Sequence, residues 1–457
     1  MPKLALGAAL LAVASTTAIG AATSGAGVVL LADQGWIMGP TSIPDPTVGS
    51  YLNDVAVRYL SPSPPWFDGQ PTFPTYTFTG LTTPEEFWPM YGNMTFGDSI
   101  AAGLPILDGA IRPQLAAGEH VTVLGYSQSA AISTQEMNDL IANSPGGSYD
   151  PANLHFVLLG DPNDPIGGVL TRFDFPYGVQ AFSLQPAPQH LPFLNIPLSI
   201  GPTPTGPFAT EVYSGEYDGF SNFPQNPTNL LAVVNAIIGT QTVHFSYPDF
   251  DNLGDVVSLG SIDQANFYLI PTAQLPVLSP LYQLGDLGKV IGDALAPVLK
   301  LIIDWGYGNP GDPGAGIPID GVDPIGVAGP WAVTATGHLS ESTGVIGFLP
   351  MMDPLQMLAG LQYASVHSVV DPINGLLGLA GQQPLPDSVV DGLLAGYHFI
   401  NDLDRSLLTG WTALAEQLGV ADALGPDTIF DGAPLISGQP LLELASLQFS
   451  IVNFFGA

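Results

Sequence analysis

Cysteine is absent from all 457 residues of the chain. Its absence excludes disulfide bonds, thiolate nucleophiles, zinc sites with cysteine ligands and a lipoprotein anchor. The cellular compartment stays open on this ground alone. The hydrophobic content of 46% is ample for a buried core, in one large domain or in two to three ordinary ones.

Basic residues are also scarce. Seven Lys and Arg oppose 40 Asp and Glu, which gives a formal net charge of -33. Binding to phosphate backbones or to anionic lipid head groups depends on clustered Lys and Arg, so nucleic-acid binding and electrostatic membrane docking are disfavoured. None of the seven basic residues lies between Arg172 and Lys289. A site in this stretch therefore favours a neutral substrate over a phosphorylated one.

Charged residues are nearly absent from the N-terminal segment, where Lys3 is the only charged side chain in the first 32 residues. An apolar run at 4–13 follows it, and small residues come next. This order is typical of a secretory signal peptide, with cleavage after Ala22 or Ala26. We therefore predict a signal peptide at residues 1–26 and a secreted or cell-envelope-associated protein. Because the uncharged run continues to Ala32, an uncleaved N-terminal anchor is the alternative.

The most informative stretch is 121–135. Strand-like residues at 121–124 lead into the motif Gly-Tyr-Ser-Gln-Ser at 125–129, and a helical pattern follows at 130–143. This is the context of the nucleophile elbow of α/β-hydrolases, in which small residues on both sides of the serine let the strand and helix backbones approach. Ser127 is therefore the candidate nucleophile. A second Gly-x-Ser triplet, at 146–148, lies outside such a context, so the triplet alone does not identify a nucleophile. The assignment of Ser127 also needs a base and an acid.

Other apolar runs alternate between strand and helix patterns without an internal repeat. Strand patterns lie at 28–31, 120–124, 154–159 and 210–217, and helical patterns lie at 47–60, 96–117, 130–143 and 227–238. This alternation predicts an α/β domain with a mainly parallel sheet and flanking helices, over residues 27–310.

Four segments outside these elements carry further predictions. Residues 32–46 are predicted to be the loop after the first strand, and 174–208 to be an apolar lid, with a simple surface excursion as the alternative. A Gly- and Pro-rich linker is predicted at 308–314. The C-terminal extension, 311–457, has helical runs at 351–379 and 388–418 and no assigned function.

A serine hydrolase on this fold orders its triad as Ser, then Asp or Glu, then His. The carboxylates at or near strand ends after Ser127 are Asp161, Glu216, Asp218 and Asp249. Asp218 is preferred, because it ends the 210–217 strand before a glycine and His244 follows at a spacing that one helix can span. His244 would accept the serine proton and Asp218 would hold the imidazole tautomer. Taken singly, Asp-Gly is also a common turn and a lone histidine a common core residue.

An oxyanion formed at the substrate carbonyl needs preorganised donors, worth ~3 kcal/mol each. One is predicted to be the backbone N–H of Gln128, and the other is placed in the loop after the first strand, at Gly35. No cofactor is predicted. His338 and Glu341 have a spacing seen in some metal sites, but no second histidine lies nearby in the sequence, so no metal site is predicted either.

Several motifs in one order resemble the PE-PPE domain family of cutinase-like α/β-hydrolases, over about residues 27–310. They are Thr83 to Pro89, Leu115 to Ala130 with the elbow, Gly160-Asp161-Pro162 followed by Gly167-Gly168, and Tyr217-Asp218-Gly219 leading to Val243-His244. The resemblance implies a serine esterase or lipase with the triad Ser127, Asp218 and His244, exported to the cell envelope. Some family members resemble acyltransferases that act on trehalose lipids.

The leading hypothesis is a serine carboxylic-ester hydrolase that acts on neutral, apolar acyl esters through an acyl-serine intermediate. An acyltransferase that moves fatty acyl groups onto trehalose-type glycolipids is the alternative, since both reactions share the acyl-enzyme. From a different class, the chain could be a non-catalytic envelope protein. The expected partner is a lipid or acyl-ester substrate, with membrane or envelope association. The sequence leaves the oligomeric state open.

Overall fold

The protein is described by a computed structural model. It describes residues 33–143, 149–172, 190–191, 196–197, 202–224, 229–249, 256–272, 274–307, 347–350, 354–424 and 434–437. The predicted signal segment at 1–26, the first predicted strand at 28–31 and the predicted linker at 308–314 lie outside these residues. So does most of the predicted lid at 174–208.

A seven-stranded sheet forms the centre of the protein. Its order is β2-β1-β3-β4-β7-β9-β8, and every neighbouring pair is parallel except β8 with β9. The prediction of an α/β fold with a mainly parallel sheet is therefore confirmed. The strands are β1 (Gln34–Ile37), β2 (Thr77–Gly80), β3 (Val121–Tyr126), β4 (Leu154–Leu159), β7 (Ala209–Gly215), β8 (Val257–Ile262) and β9 (Ala265–Ile270). Four shorter strands form two separate pairs: β5 (His190–Leu191) with β6 (Ile196–Pro197), and β10 (Gly347–Pro350) with β11 (Pro434–Ser437).

Helices follow the strands as the alternating pattern predicts. The first begins at residue 51 rather than 47, and its second half is a π-helical turn (Ala56–Leu60). The α-helices are α1 (Tyr51–Val55), α2 (Phe96–Ala116), α3 (Gln128–Asn143), α4 (Val169–Arg172), α5 (Leu230–Thr242), α6 (Ser279–Tyr282), α7 (Asp286–Trp305), α8 (Pro354–Leu379), α9 (Asp387–Leu393), α10 (Ala395–Leu418) and α11 (Ala421–Leu424).

The sheet is buried on both faces. Alternate side chains of a strand point to opposite faces, and in β3 this places Val121 and Val123 in one apolar cluster and Leu124 and Tyr126 in another. Residues of α2 and α3 complete the first cluster, whereas residues of α1 and the π-helical turn complete the second. All six residues of β3 are buried, so the strand that carries the elbow is fully enclosed.

The start of the sheet differs from the prediction. Residues 34–37, expected in the loop after the first strand, form β1 and pair with both β2 and β3. Gly35 lies opposite Phe78 in this pairing, and a Cβ on Gly35 would meet the Phe78 ring at 2.3 Å. The glycine at 35 is what allows the Phe78 ring to cover β1.

Helices of the C-terminal extension pack onto the end of the α/β domain. Helix α8 lies along α7, with Gly375 close to Val290, and α10 lies against α8. Among the described residues, no helix combines the length and the apolar character needed to cross a membrane.

Candidate active site

Ser127 lies at a sharp turn between β3 and α3. Its φ is 60°, in the left-handed region that non-glycine residues seldom adopt. Gly125 has no room for a side chain, because an added Cβ would lie 2.7 Å from the carbonyl oxygen of Ser129. The Ser129 hydroxyl accepts a hydrogen bond from the Tyr126 N–H at 2.8 Å and donates to the Tyr126 carbonyl at 3.1 Å. The second serine of the motif therefore braces the turn that presents the first.

The structure brings Ser127, His244 and Asp218 into one hydrogen-bonded chain. His244 Nε2 lies 2.8 Å from Ser127 Oγ, and His244 Nδ1 lies 2.7 Å from Asp218 Oδ2. Asp218 and His244 are buried, whereas Ser127 is half-buried. Both distances are within hydrogen-bond range, and the first allows direct proton transfer from Ser127 to His244. The three side chains named from the sequence can therefore act as nucleophile, base and orienting acid.

Helix α5 connects the acid to the base. It begins 12 residues after Asp218 and ends two residues before His244. It lies very close to the turn that carries the acid, since a Cβ on Gly239 would meet the Tyr217 carbonyl oxygen at 1.9 Å and one on Gly219 would meet the Ala236 carbonyl oxygen at 2.4 Å. Gly219 and Gly239 thus let α5 pack closely against the turn that carries Asp218, and this packing brings His244 back to the acid.

Three further donors surround the carboxylate of Asp218. Its Oδ2 accepts hydrogen bonds from the Tyr247 hydroxyl at 2.8 Å and the Ser221 hydroxyl at 2.9 Å, and its Oδ1 accepts one from the Phe220 N–H at 2.9 Å. Burial alone raises the pKa of Asp218, but His244, the Phe220 N–H and the Tyr247 hydroxyl together hold that pKa below its ordinary value. The acid is therefore ionised at neutral pH.

The other acids considered at the sequence level have different contacts. Asp161 accepts hydrogen bonds from the Asn163 N–H at 2.9 Å and from the Thr203 hydroxyl at 2.5 Å, and burial raises its pKa to about 7. Glu216 accepts from the Lys300 ammonium at 2.6 Å and from the Thr272 N–H at 2.9 Å. Neither contacts the His244 ring.

Tyr247→Phe is expected to lower kcat about tenfold at neutral pH, because one hydrogen bond to a charged group is lost. It is also expected to change the pH profile. The Tyr247 hydroxyl lowers the pKa of Asp218, so its removal raises that pKa. As the pH falls, the variant therefore loses activity at a higher pH than the wild type does. The measurement is kcat between pH 4 and pH 8.

Tyr59→Phe is the matched control. It removes an equally buried hydroxyl, which donates at 3.0 Å to the Tyr247 carbonyl rather than to Asp218. It should lower the free energy of unfolding without moving the pH profile. Identical profiles for Tyr247→Phe and the wild type would contradict the positioning role of Tyr247.

Gly160→Ala is expected to lower kcat at least about tenfold with little change in KM. Gly160 has φ 55°, and an added Cβ would lie 3.0 Å from both His244 Cε1 and Tyr247 Cε2. The methyl group would displace the base from Ser127. Left-handed backbone at a non-glycine residue costs a further ~1–2 kcal/mol of stability. Steady-state kinetics and a denaturant titration measure the two effects.

Gly118→Ala separates backbone strain from contact with the histidine. Gly118 has φ 76°, and a Cβ there would meet nothing within 4 Å. Its alanine variant should lose similar stability and keep its kcat. Equal losses of kcat in the two variants would mean that strain alone explains the result at Gly160.

The second oxyanion donor is not at Gly35, so that prediction is corrected. Gly35 lies within β1 opposite Thr122, five residues before Ser127 in the neighbouring strand, or ~16 Å at 3.3 Å per residue. The loop after β1 begins at Met38 instead. The Met38 N–H donates to the Leu124 carbonyl, and the Ser42 N–H donates to the Glu85 carbonyl. Pro40 has no N–H. The candidate donors in this loop are therefore the N–H groups of Gly39 and Thr41.

Gln128 keeps its predicted position. As the first residue of α3 its N–H has no intrahelical acceptor, and it immediately follows Ser127. Its buried side chain donates to the Glu86 carbonyl at 2.8 Å and accepts from the Ser99 hydroxyl at 3.3 Å. These contacts hold the elbow against the segment 83–89.

The segment 83–89 is a part of the site for which sequence reasoning gave no structural role. Glu85 accepts a backbone hydrogen bond from Ser42, and its side chain accepts one from the Thr83 hydroxyl at 2.7 Å. Burial raises the pKa of Glu85 to about 8, against the opposing effect of Thr83. The segment thus connects the loop after β1 to the elbow. An adjacent acidic pair between prolines in an apolar context was the signal available in the sequence.

The family model described as PE-PPE domain matches residues 74–308, which is 235 of 457 residues, and the match includes all three triad residues. The chain belongs to the PE-PPE domain family. No solved structure matches it.

Three curated relatives of this PE-PPE domain protein are from Mycobacterium tuberculosis (strain ATCC 25618 / H37Rv). The chain is 34% identical to PE family protein PE3 over 59% of its own length and 56% of that protein's. It is 35% identical to Esterase PE16 over 88% of its length and 75% of the esterase. It is 28% identical to Diacyltrehalose acyltransferase Chp2 over 68% of its length and 89% of the acyltransferase. These names support the predicted enzyme class, a serine hydrolase or related acyltransferase.

Proposed function

We propose that this PE-PPE domain protein is a serine ester hydrolase that acts on neutral, apolar acyl esters through an acyl-Ser127 intermediate. The observation that carries the proposal is the unbroken chain of hydrogen bonds from Ser127 through His244 to the buried Asp218. Esterase PE16, which is similar over 88% of the chain, supports the same reaction class.

Acylation begins when Ser127 Oγ attacks the ester carbonyl and His244 Nε2 takes the hydroxyl proton. Asp218 stabilises the imidazolium that forms. The tetrahedral oxyanion accepts from the N–H of Gln128, where the N-terminus of α3 also favours negative charge. When the bond between carbonyl carbon and alcohol oxygen breaks, His244 returns the proton to the departing alcohol.

Deacylation repeats these steps with water as the nucleophile. His244 takes a proton from water, whose oxygen forms the new bond to the acyl carbon, and the bond to Ser127 Oγ breaks. The proton then returns to Ser127, so the enzyme is regenerated and the products are an alcohol and a carboxylic acid.

Exposed apolar side chains beside the triad support an apolar acyl group. Phe245 is 53% exposed and its ring lies 5.8 Å from the His244 ring. Trp88 and Met90 are 48% and 71% exposed, and they follow Glu86, whose carbonyl accepts from the Gln128 side chain. No Lys or Arg lies between Arg172 and Lys289, so this stretch offers no cation to bind an anionic head group.

Transfer of the acyl group to a sugar hydroxyl is the second candidate. The similarity to Diacyltrehalose acyltransferase Chp2 over 68% of the chain favours it. The two reactions differ only in the nucleophile that attacks acyl-Ser127, and exclusion of water over the acyl-enzyme decides between them.

Incubation with a series of p-nitrophenyl acyl esters, with and without trehalose, separates the two candidates. We expect release of p-nitrophenol and free fatty acid, with no effect of the sugar. Mass spectrometry of the products is the second measurement. Formation of acylated trehalose at the expense of free acid would show that the enzyme is a transferase rather than a hydrolase. No turnover of any ester would favour a non-catalytic envelope protein.

We also propose export to the cell envelope or medium. Lys3, the apolar run at 4–13 and the small residues up to Ala26 support it. Fractionation of cells that produce the full chain, followed by N-terminal sequencing, is the test. A mature N-terminus at residue 23 or 27 indicates cleavage, an intact one in the membrane fraction indicates an anchor, and recovery from the cytosol contradicts export.

A further inference from the structure

A cavity of about 290 Å³ lies between the α/β domain and the C-terminal extension. Tyr217 and Thr272 line it from just beyond the ends of β7 and β9, and Asp371 closes it from α8. Ligands of open α/β sheets bind beyond the carboxyl ends of the strands. Its volume lies just below the usual range for small-molecule sites, which begins at ~300 Å³.

The cavity is distinct from the triad, although its Tyr217 and the triad residue Asp218 are adjacent in the chain. Asp218 is hydrogen-bonded to His244, whereas the hydroxyl of the preceding Tyr217 donates to Asp304 at 2.6 Å and accepts from the Lys300 ammonium at 2.5 Å. Tyr217 has φ 65°, a left-handed conformation that changes the chain direction between the two side chains. The mechanism above uses none of the groups on the Tyr217 side.

The charges around the cavity disfavour an anionic ligand. Lys300 is the cation in its lining, and its ammonium already contacts Glu216 at 2.6 Å, Tyr217 at 2.5 Å and Asp304 at 3.5 Å. Asp293 and Asp371 add two carboxylates. The first pairs with Lys289 at 2.7 Å, and Oδ1 of the second lies 3.0 Å from His367 Nδ1. The lining and its direct ion-pair partners therefore hold four carboxylates and two ammonium groups, so a phosphate or carboxylate would meet net repulsion.

A bound metal ion is also disfavoured there. Within the described ranges, the trio of acidic residues with ligand atoms close enough to share an ion is elsewhere, at Asp108, Glu136 and Asp139. The cavity carboxylates are too widely spaced for that, and a hard cation needs several oxygens at 2.0–2.6 Å.

The remaining chemistry fits hydroxyl groups. Asp293 and Asp371 offer acceptors, Gln274 offers an amide donor and acceptor, and the rings of Tyr217 and Tyr282 line the same space. Burial, with help from Asp293, raises the pKa of Tyr282 to about 12, so its phenol is neutral. We propose that this cavity binds a neutral polyhydroxylated ligand about the size of one sugar ring, with Asp371 of the C-terminal extension as one of its hydrogen-bond acceptors.

Isothermal titration of the full chain with D-glucose, and separately with trehalose, tests the proposal. We expect saturable binding of at least one sugar with a Kd in the range of about 1 mM. Loss of a hydrogen bond to a charged acceptor should make the Kd of Asp371→Ala at least about tenfold larger. Gln274→Ala, which alters an exposed side chain, should increase it about threefold.

Asp391→Ala is the matched control, because Asp391 is an exposed carboxylate on α9 and does not line the cavity. Its Kd should equal that of the wild type, and circular dichroism melts should show all three variants folded. The proposal is overturned if neither sugar binds, if Asp371→Ala and Gln274→Ala both bind as tightly as the control, or if inorganic phosphate or Mg²⁺ binds the same cavity more tightly than the sugars.

Discussion

Ser127→Ala is expected to lower kcat by about 10⁶-fold, since removal of the nucleophile from an intact triad leaves only binding and oxyanion stabilisation. The expected structural effect is small: Ser127 Oγ contacts His244 Nε2 at 2.8 Å and the change removes one oxygen atom. The variant should also fail to react with a fluorophosphonate probe. Ester hydrolysis and in-gel probe labelling are the measurements.

Ser129→Ala is the control that the motif itself provides. Its hydroxyl bonds only the backbone of Tyr126, so its loss should lower the free energy of unfolding by about 1–2 kcal/mol and leave labelling intact. Equal labelling of Ser127→Ala and the wild type would contradict the assignment of the nucleophile. Loss of labelling in Ser129→Ala alone would transfer that role to the second serine.

Asp218→Asn is expected to lower kcat by about 10⁴-fold with a nearly unchanged fold. The amide keeps the shape of the carboxylate but neither holds the reactive tautomer of His244 nor stabilises its imidazolium. Four donors surround the Asp218 carboxylate, namely His244 Nδ1, the Tyr247 and Ser221 hydroxyls and the Phe220 N–H. Kinetics against one chromogenic ester at neutral pH and above measures the effect.

Two other carboxylates serve as controls for Asp218→Asn. Asp161→Asn changes a buried acid that bonds Asn163 and Thr203, and Glu216→Gln changes the partner of Lys300. Both should keep kcat within about threefold while their stability changes. If Asp161→Asn lost as much activity as Asp218→Asn, the assignment of Asp218 as the one catalytic acid would be contradicted.

The elbow and the triad were predictable because their signals are local or ordered. Gly125 and Ser129 flank Ser127 within five residues, and the steric need for small residues there is visible in the sequence. The acid and the base follow in the order that the fold imposes. Their pairing needed only one assumption, that a helix spans the segment between Asp218 and His244, and α5 does so.

Strand boundaries and the oxyanion loop were less predictable for a physical reason. An apolar run such as 28–31 has a strong hydrophobic signal, whereas the strand at 34–37 contains Gln34 and Gly35, and its pairing depends on Phe78 more than 40 residues away. The edge strands β2 and β8 are partly exposed, so their pattern is weak. The partners of Asp218 other than His244 also arise from tertiary packing, and no periodic pattern in the sequence identifies them.

The way in which α5 is anchored has a consequence for inactivation by heat. Ser127 follows a fully buried strand at the centre of the sheet, but the position of His244 depends on one 13-residue helix held through the close contacts at Gly219 and Gly239. Local opening of such a helix requires less free energy than global unfolding. Amide hydrogen exchange in α5 should therefore report the fraction of competent enzyme, and activity should be lost on heating while the sheet is still intact.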